Sequence, residues 1–164
     1  VYRNLLGGRE YETEEPNPLL GVRGALRYLT NPRVFELELE AVKKVRDEKG
    51  FNNLQLMIPF VRTPKELEHI KKIINNFGIR RSPTFKLILF FEIPSNIIQL
   101  EEFIKVGIDG ISIGADSLVL FLLGIDRDNP DVLSSYDERS EAVLWAFEKI
   151  VKTCKKYKID SVRF

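Results

Sequence analysis

The hydrophobic residues of this chain form short, nearly continuous runs, which are separated by longer segments with helical spacing. Three runs, at 54–61, 86–91 and 109–113, predict strands, and the second is apolar enough to predict a strand covered on both faces. The last residues, 159–164, could open one more strand.

Amphipathic helices are predicted before, between and after these strands, because their ends carry capping signals. The first helix has Asn31 as its N-cap, Pro32 at its first position and Gly50 just beyond its end. Residues 63–66 form a capping box that predicts a sharp helix start at the proline, and residues 135–138 predict a similar start for the long last helix.

Strands that alternate with helices predict a parallel α/β sheet with right-handed crossovers. The 164 residues are enough for one domain, since domains usually have about 100–200 residues. Within it we expect a loop and a short helical turn over residues 1–30 and β/α units over residues 31–164.

The composition narrows the classes of partner. Lys and Arg number 25 against 24 Asp and Glu, a balance that gives no reason to expect nucleic acid or an acidic membrane surface as a partner. One cysteine excludes a disulfide framework within the chain. No signal peptide or membrane-spanning run is recognisable, so we expect a soluble cytoplasmic protein.

Polar residues stand where the predicted strands end, at Arg62, at Glu92 and at 114–117, and the loop at 126–128 is expected to reach the same side. Parallel strands place such residues at one shared edge. Carboxylates are ligands for magnesium or manganese, arginines pair with phosphate or carboxylate, and Gly114 would let backbone N–H groups face an anion. The pattern favours a metal-and-anion site, although strand-end carboxylates also cap helices or form ion pairs.

Arg23 lies between Gly21 and Gly24, where the backbone can approach a ligand closely. A tight turn with a surface arginine explains the same spacing. His69 has no second metal ligand near it in sequence and is expected at the surface, and Cys154 is expected as a small core residue.

Four blocks of the sequence resemble one known family. They are YRNLLGGREYETEEPNPLLGVRGALRY at 2–28, LMIPFVRT at 56–63, FEIPSN at 91–96 and ISIGADSLVLFLLGIDRDN at 111–129. In this order they resemble the C-terminal, phosphoenolpyruvate-binding barrel of the phosphoenolpyruvate synthase family, which is related to pyruvate phosphate dikinase.

The resemblance implies part of a (β/α)8 barrel that binds phosphoenolpyruvate or pyruvate. It implies that Arg23 holds the substrate phosphate, that Glu92 is a magnesium ligand and that Arg127 contacts the phosphoryl group, while Arg62 has a less defined place at the substrate. In the whole enzyme, ATP charges a phosphohistidine on a mobile domain, and the barrel converts pyruvate to phosphoenolpyruvate. ATP itself is not expected to bind this segment.

Two departures from the family pattern bear on activity. The family's GSNDLTQ-like block is replaced by residues 114–120, with Asp116 at the asparagine position and Ser117 at the position of the metal-binding aspartate. Asp116 would then have to act beside Glu92 as a metal ligand from one position away. KIDSVRF stands where a GICGQ-like strand with a catalytic cysteine is expected, and Cys154 lies too early to replace it.

We therefore expect a partial barrel that pairs with a second copy or with a partner chain carrying the remaining strands. No residue is assigned a catalytic role, and no phosphotransfer is expected from the isolated chain. Three functions remain open: a ligand-binding segment of a phosphoenolpyruvate synthase, a degenerate non-catalytic binding module, and another metal-dependent lyase or aldolase of this barrel superfamily.

Overall fold

A computed structural model describes residues 15–126 and 128–163 of the chain, so most of the predicted opening loop and Arg127 lie outside the described residues. The described part contains one parallel sheet with its strands in sequence order. The strands are β1 (Leu56–Pro59), β2 (Leu87–Phe91), β3 (Gly110–Ile113) and β4 (Asp160–Arg163). The predicted α/β class and the strand in the tail are therefore confirmed, and the architecture is consistent with part of a (β/α)8 barrel.

Helices connect the strands, as the sequence pattern predicts. They are α1 (Ala25–Thr30), α2 (Pro32–Lys43), α3 (Pro64–Asn76), α4 (Pro94–Ile98), α5 (Leu100–Gly107), α6 (Ala115–Leu123) and α7 (Glu141–Tyr157). A π-helical turn over Lys44–Glu48 extends α2, and a 3-10 turn covers Leu133–Ser135.

One face of the sheet packs against the helices and forms the core. Ile58, Leu89 and Ile111 lie side by side on neighbouring strands of this face and are almost fully buried. Phe91 at the end of β2 meets Phe103 of α5 edge to face, with 5.8 Å between the ring centroids. Helices with buried apolar stripes thus hold the strands from one side.

The opposite face of the sheet is covered incompletely, which corrects the prediction that β2 is covered on both faces. Met57 is 42% exposed, Val162 is 54% exposed, and Ile88 and Phe90 are only partly buried. In a closed barrel this face would be the inner one, and the described strands do not close around it. The apolar run at 86–91 therefore matches the environment that β2 would have in a complete barrel.

Helix starts follow the local sequence in one case and depart from it in another. The Thr63 side chain accepts a hydrogen bond from the N–H of Glu66 at 3.1 Å, so α3 begins at Pro64 as predicted. Helix α7 begins at Glu141 after Ser140, so the start predicted from residues 135–138 is wrong. Those residues belong to the 3-10 turn and the segment that follows it.

The two residues assigned no special role behave as expected. His69 is exposed, and Cys154 is buried on α7 with 1% of its surface accessible. Burial raises the pKa of the Cys154 thiol, and a hydrogen bond with Ser161 opposes that shift. None of the helices in the described part of the chain combines the length and apolar character that crossing a membrane requires.

Candidate functional site

Glu92 is the centre of the candidate site because it carries a buried charge at the C-terminal end of β2. The residue is only 3% exposed. Its Oε2 accepts a hydrogen bond from the N–H of Phe60 at 3.0 Å, and its Oε1 lies 3.5 Å from the Ser117 hydroxyl, which donates to it. The Nη2 atom of Arg23 lies 4.0 Å from the same oxygen.

The surroundings of Glu92 act on its pKa in opposite directions. Burial raises the pKa above its usual value, and this effect is the largest. The charge of Arg23 and the hydrogen bonds from Phe60 and Ser117 lower it in part. Protein donors thus hold the carboxyl group in place, while its removal from water makes it a weaker acid.

Phe60 joins the two arginines of the site. The guanidinium carbon of Arg23 lies 4.4 Å from the centroid of its ring, and that of Arg62 lies 4.8 Å from it. Phe60 has a φ of 51°, in the left-handed region that a bulky side chain rarely occupies. This conformation directs its N–H to Glu92 while its ring contacts both cations, and such strained residues are concentrated at functional sites.

Gly24 lets the Arg23 segment lie directly against the end of β1. A Cβ atom at this position would come within 2.4 Å of the Phe60 Cβ and 2.5 Å of the Pro59 carbonyl oxygen. The glycine also has a φ of 57°, which it adopts at little cost. The close approach predicted from the glycines around Arg23 is therefore an approach to Pro59 and Phe60.

Arg62 holds the backbone of the same segment. Its Nη2 donates to the Gly21 carbonyl at 2.7 Å, and its Nη1 donates to the Arg23 carbonyl at 3.4 Å. Burial lowers the pKa of its guanidinium. These contacts fix the position of Arg23, and substrate binding by Arg62 stays a prediction.

Asn96 ties together the ends of β1 and β2. Its side-chain oxygen accepts hydrogen bonds from the N–H groups of Glu92 and Ile93 at 3.1 and 3.3 Å, and its amide nitrogen donates to the Val61 carbonyl at 2.6 Å. The residue is fully buried. It is a positioning residue for Glu92 that the sequence reasoning did not single out, although it lies within the quoted FEIPSN block.

The segment after β3 presents its residues differently from the sequence expectation. The N–H of Gly114 donates to the Phe91 carbonyl at 2.9 Å and is therefore occupied. A Cβ at Gly114 would lie 2.8 Å from the Phe90 ring and 3.1 Å from the Glu92 Cγ, so the glycine makes room for these side chains. Asp116 is exposed on the first turn of α6, and it is Ser117 that faces Glu92.

A cavity of about 310 Å³ opens beside these groups. Arg23 and Glu92 line it together with apolar residues of β1 and β2, including Met57 and Phe90. Its lining also includes polar residues of α1 and α2, namely Arg27, Tyr28 and Glu38. Burial raises the pKa of Glu38, while a hydrogen bond with Tyr28 and the charge of Arg27 oppose the shift.

The oxygen ligands around Glu92 fall short of what a magnesium ion requires. Magnesium prefers six oxygen ligands, usually one or two carboxylates completed by water and substrate phosphates. Within the described ranges no group of three or more His, Cys, Asp or Glu residues could hold a metal ion. Ser117, which contacts Glu92, offers only a neutral hydroxyl, and this is a weaker magnesium ligand than a second carboxylate would be. Both oxygens of Glu92 already face protein donors. The described residues do not fit a magnesium site.

Comparison with known proteins shows the family to which the chain belongs. The family model for the PEP-utilising enzyme, PEP-binding domain, matches residues 2–162. Among curated relatives, the phosphoenolpyruvate synthases of Neisseria meningitidis serogroup B, Escherichia coli and Aeropyrum pernix are 42%, 40% and 43% identical to the chain.

These three matches cover 94%, 94% and 92% of this chain and 20%, 20% and 19% of the relatives. The chain therefore spans about a fifth of the length of the curated relatives it matches. The family model and the sequence identities together show that the chain belongs to the PEP-utilising enzymes and corresponds to their PEP-binding domain.

Proposed function

We propose that this chain binds phosphoenolpyruvate or pyruvate at the cavity beside Arg23 and Glu92, as a segment of a phosphoenolpyruvate synthase. The observation that carries the proposal is the pairing of a nearly buried arginine with a buried carboxylate, 4.0 Å apart, at the carboxyl ends of parallel strands. Ligands of α/β sheets bind at this edge. The names of the curated relatives support the choice of anion.

Arg23 has the chemistry to hold the anion. Its guanidinium carries several donors in a fixed plane, which suits the oxygens of a phosphate or carboxylate. Its orientation is set by the Phe60 ring and by Glu92, so little conformational entropy remains to be lost on binding. Arg127, from the GIDRDN block, is proposed as a second cation for the phosphoryl group, and Asp116 as a further substrate contact. Gly114 is proposed to contribute by leaving space beside Glu92, because its N–H already donates to the Phe91 carbonyl.

The whole enzyme would convert ATP, pyruvate and water to AMP, phosphoenolpyruvate and phosphate. We propose no catalytic residue in this chain and expect no phosphotransfer from it alone. The resemblance predicts magnesium at Glu92 and Asp116, which the oxygen ligands of the described residues do not support. The isolated segment is proposed not to bind ATP. The incompletely covered sheet face supports association with a second copy or with a chain that completes the barrel.

Calorimetric titration with phosphoenolpyruvate tests the binding proposal. Arg23→Ala should weaken binding by about 10- to 100-fold, because it removes a charge-assisted contact of about 1.5–3 kcal/mol. Arg127→Ala should weaken it in the same sense. The matched control is Arg33→Ala on the exposed side of α2, which should leave the affinity unchanged. Equal affinities for all four proteins, or no binding by wild type, would reject the proposal.

A non-catalytic binding module is the second candidate. The observation that favours it is the hydroxyl of Ser117 where a second carboxylate would otherwise face Glu92. A full-length protein that contains this segment and forms phosphoenolpyruvate from ATP and pyruvate would exclude it.

A further inference from the structure

The oxygens of Glu92 are already engaged by the protein. Oε2 accepts the Phe60 N–H at 3.0 Å, and Oε1 faces both the Ser117 hydroxyl at 3.5 Å and the Arg23 guanidinium at 4.0 Å. The side chain is 4% exposed. A cation that entered this position would have to displace these donors and compete with the charge of Arg23 at close range.

The contacts of Glu92 have a structural purpose of their own. The left-handed conformation of Phe60 is costly, and the hydrogen bond from its N–H to Glu92 holds it in place. The Phe60 ring in turn lies against both Arg23 and Arg62. Glu92 thus holds Phe60 in place, and Phe60 in turn supports Arg23 at the cavity.

The neighbouring oxygens do not add up to a divalent-cation site. Ser117 contributes a neutral hydroxyl, and Asp116 is exposed on the first turn of α6. Magnesium is usually held by one or two carboxylates together with water and substrate phosphate, and the carboxylate available here, Glu92, already has both oxygens facing protein donors.

We infer that this site binds its anion without a divalent cation, with Glu92 serving as the anchor of Phe60 and Arg23, and that Ser117 is the residue that decides this. The inference rests on the proposed function. Because the Ser117 hydroxyl lies 3.5 Å from Glu92, an aspartate at this position would place two carboxylates together and create a cation site.

The first measurement uses Mn²⁺ alone as the probe, with free Mn²⁺ followed by electron paramagnetic resonance. Wild type should bind no Mn²⁺ at millimolar concentration, and Ser117→Asp should bind it. Ser117→Asn has a similar size without the charge and should bind none. Mn²⁺ binding by wild type, above all if Asp116→Asn removes it, would overturn the inference.

The second measurement is phosphoenolpyruvate calorimetry in EDTA and in millimolar Mg²⁺. The wild-type affinity should differ by less than about twofold between the two buffers, whereas Mg²⁺ should tighten binding to Ser117→Asp by about tenfold or more. A wild type that binds only with Mg²⁺ overturns the inference while the proposed function stands.

The two proposals can fail separately. If phosphoenolpyruvate binds in neither buffer, the proposed function fails, and the Mn²⁺ measurement still decides the metal question. Circular dichroism checks that Ser117→Asp is folded. If it is not, the wild-type results in Mn²⁺ and in EDTA are sufficient to support or overturn the inference.

Discussion

Gly24 and Phe60 form a contact in which neither residue can easily change. We predict that Gly24→Ala destabilises the protein by about 2–4 kcal/mol, because the new methyl would meet both a backbone carbonyl and the Phe60 Cβ at a positive φ. Urea denaturation measures the loss. The matched control is Gly50→Ala, which has a φ of 73° and nothing within 4 Å of the added Cβ.

The control separates strain from crowding. Gly50→Ala carries only the cost of a left-handed residue, about 1–2 kcal/mol. If Gly24→Ala costs no more than Gly50→Ala, the close approach of the Arg23 segment to β1 is refuted.

The raised pKa of Glu92 predicts how its contribution to stability changes with pH. Its ordinary pKa is 4.5, and burial raises the folded-state value above this. The folded protein therefore holds the proton more tightly than the unfolded chain, so the contribution is fully present below pH 4.5 and is lost as pH rises through the folded pKa. In urea denaturation, the free energy of unfolding of wild type, taken relative to that of Glu92→Gln, should therefore fall as the pH rises above 4.5.

Glu101 provides a comparison of opposite sign. Its pKa is lowered by hydrogen bonds from Tyr157 and Lys156, so its contribution is present above pH 4.5 and is lost as pH falls through the folded pKa. Relative to Glu101→Gln, wild type should therefore gain stability as pH rises. The same slope for both pairs would contradict the assignment of burial as the dominant effect at Glu92.

The residues of the site differ in how far sequence could predict them. Glu92 and the segment 114–117 could be placed at one edge because parallel strands end there, but sequence favoured Asp116, and it is Ser117 that faces Glu92. The role of Phe60 could not be predicted, since its left-handed φ is imposed by Glu92, Gly24 and the arginines, and no local sequence rule favours it. Asn96 was missed because an asparagine after proline also suits an ordinary turn.

At the level of elements, the turn between β2 and α4 depends on Asn96. We predict that Asn96→Ala costs about 2–5 kcal/mol, because it leaves two buried N–H groups and one buried carbonyl without their partner. It should also weaken phosphoenolpyruvate binding, because Glu92 loses its backbone support. Thermal unfolding and calorimetric titration measure the two effects.

Ser95 is the matched control in the same turn. Its hydroxyl is buried and has no hydrogen-bond partner among the residues that the structure describes. Ser95→Ala should therefore be neutral or slightly stabilising. If Ser95→Ala lost as much stability as Asn96→Ala, the turn would tolerate no substitution, and a specific role of Asn96 would be refuted.

The predicted elements are correct where a local sequence signal determines them, and they are wrong where the outcome depends on the rest of the fold. Pro64 with Thr63 before it determines a helix start locally, so α3 was predicted correctly. The start of α7 was misplaced because residues 135–138 match a capping box, while the chain turns there and the helix begins at Ser140 and Glu141. Burial on both faces of β2 was overestimated because sequence alone does not tell which strands are present to close the sheet.

At the scale of the whole molecule, the incompletely covered sheet face predicts self-association. Sedimentation velocity should show a mass that rises with concentration, since exposed apolar surface next to the edge strands β1 and β4 of the described sheet favours association. Met57→Glu and Val162→Glu lie on this face and should shift the equilibrium toward monomer.

Ile98→Glu is the control for this face. Ile98 is 71% exposed but lies on α4, so the same charge added there should leave association unchanged. A monomer at every concentration, or an equal effect of all three variants, would refute the sheet face as the contact surface.

The burial of Cys154 gives the molecule an internal reporter. It is the chain's single thiol, and it lies against the core on the long α7 helix, so an alkylating reagent reaches it only when that helix lifts away. The labelling rate in native buffer therefore counts spontaneous openings of α7. If an anion slows the labelling of Cys154, its binding at the strand ends must make α7, on the other side of the sheet, open less often.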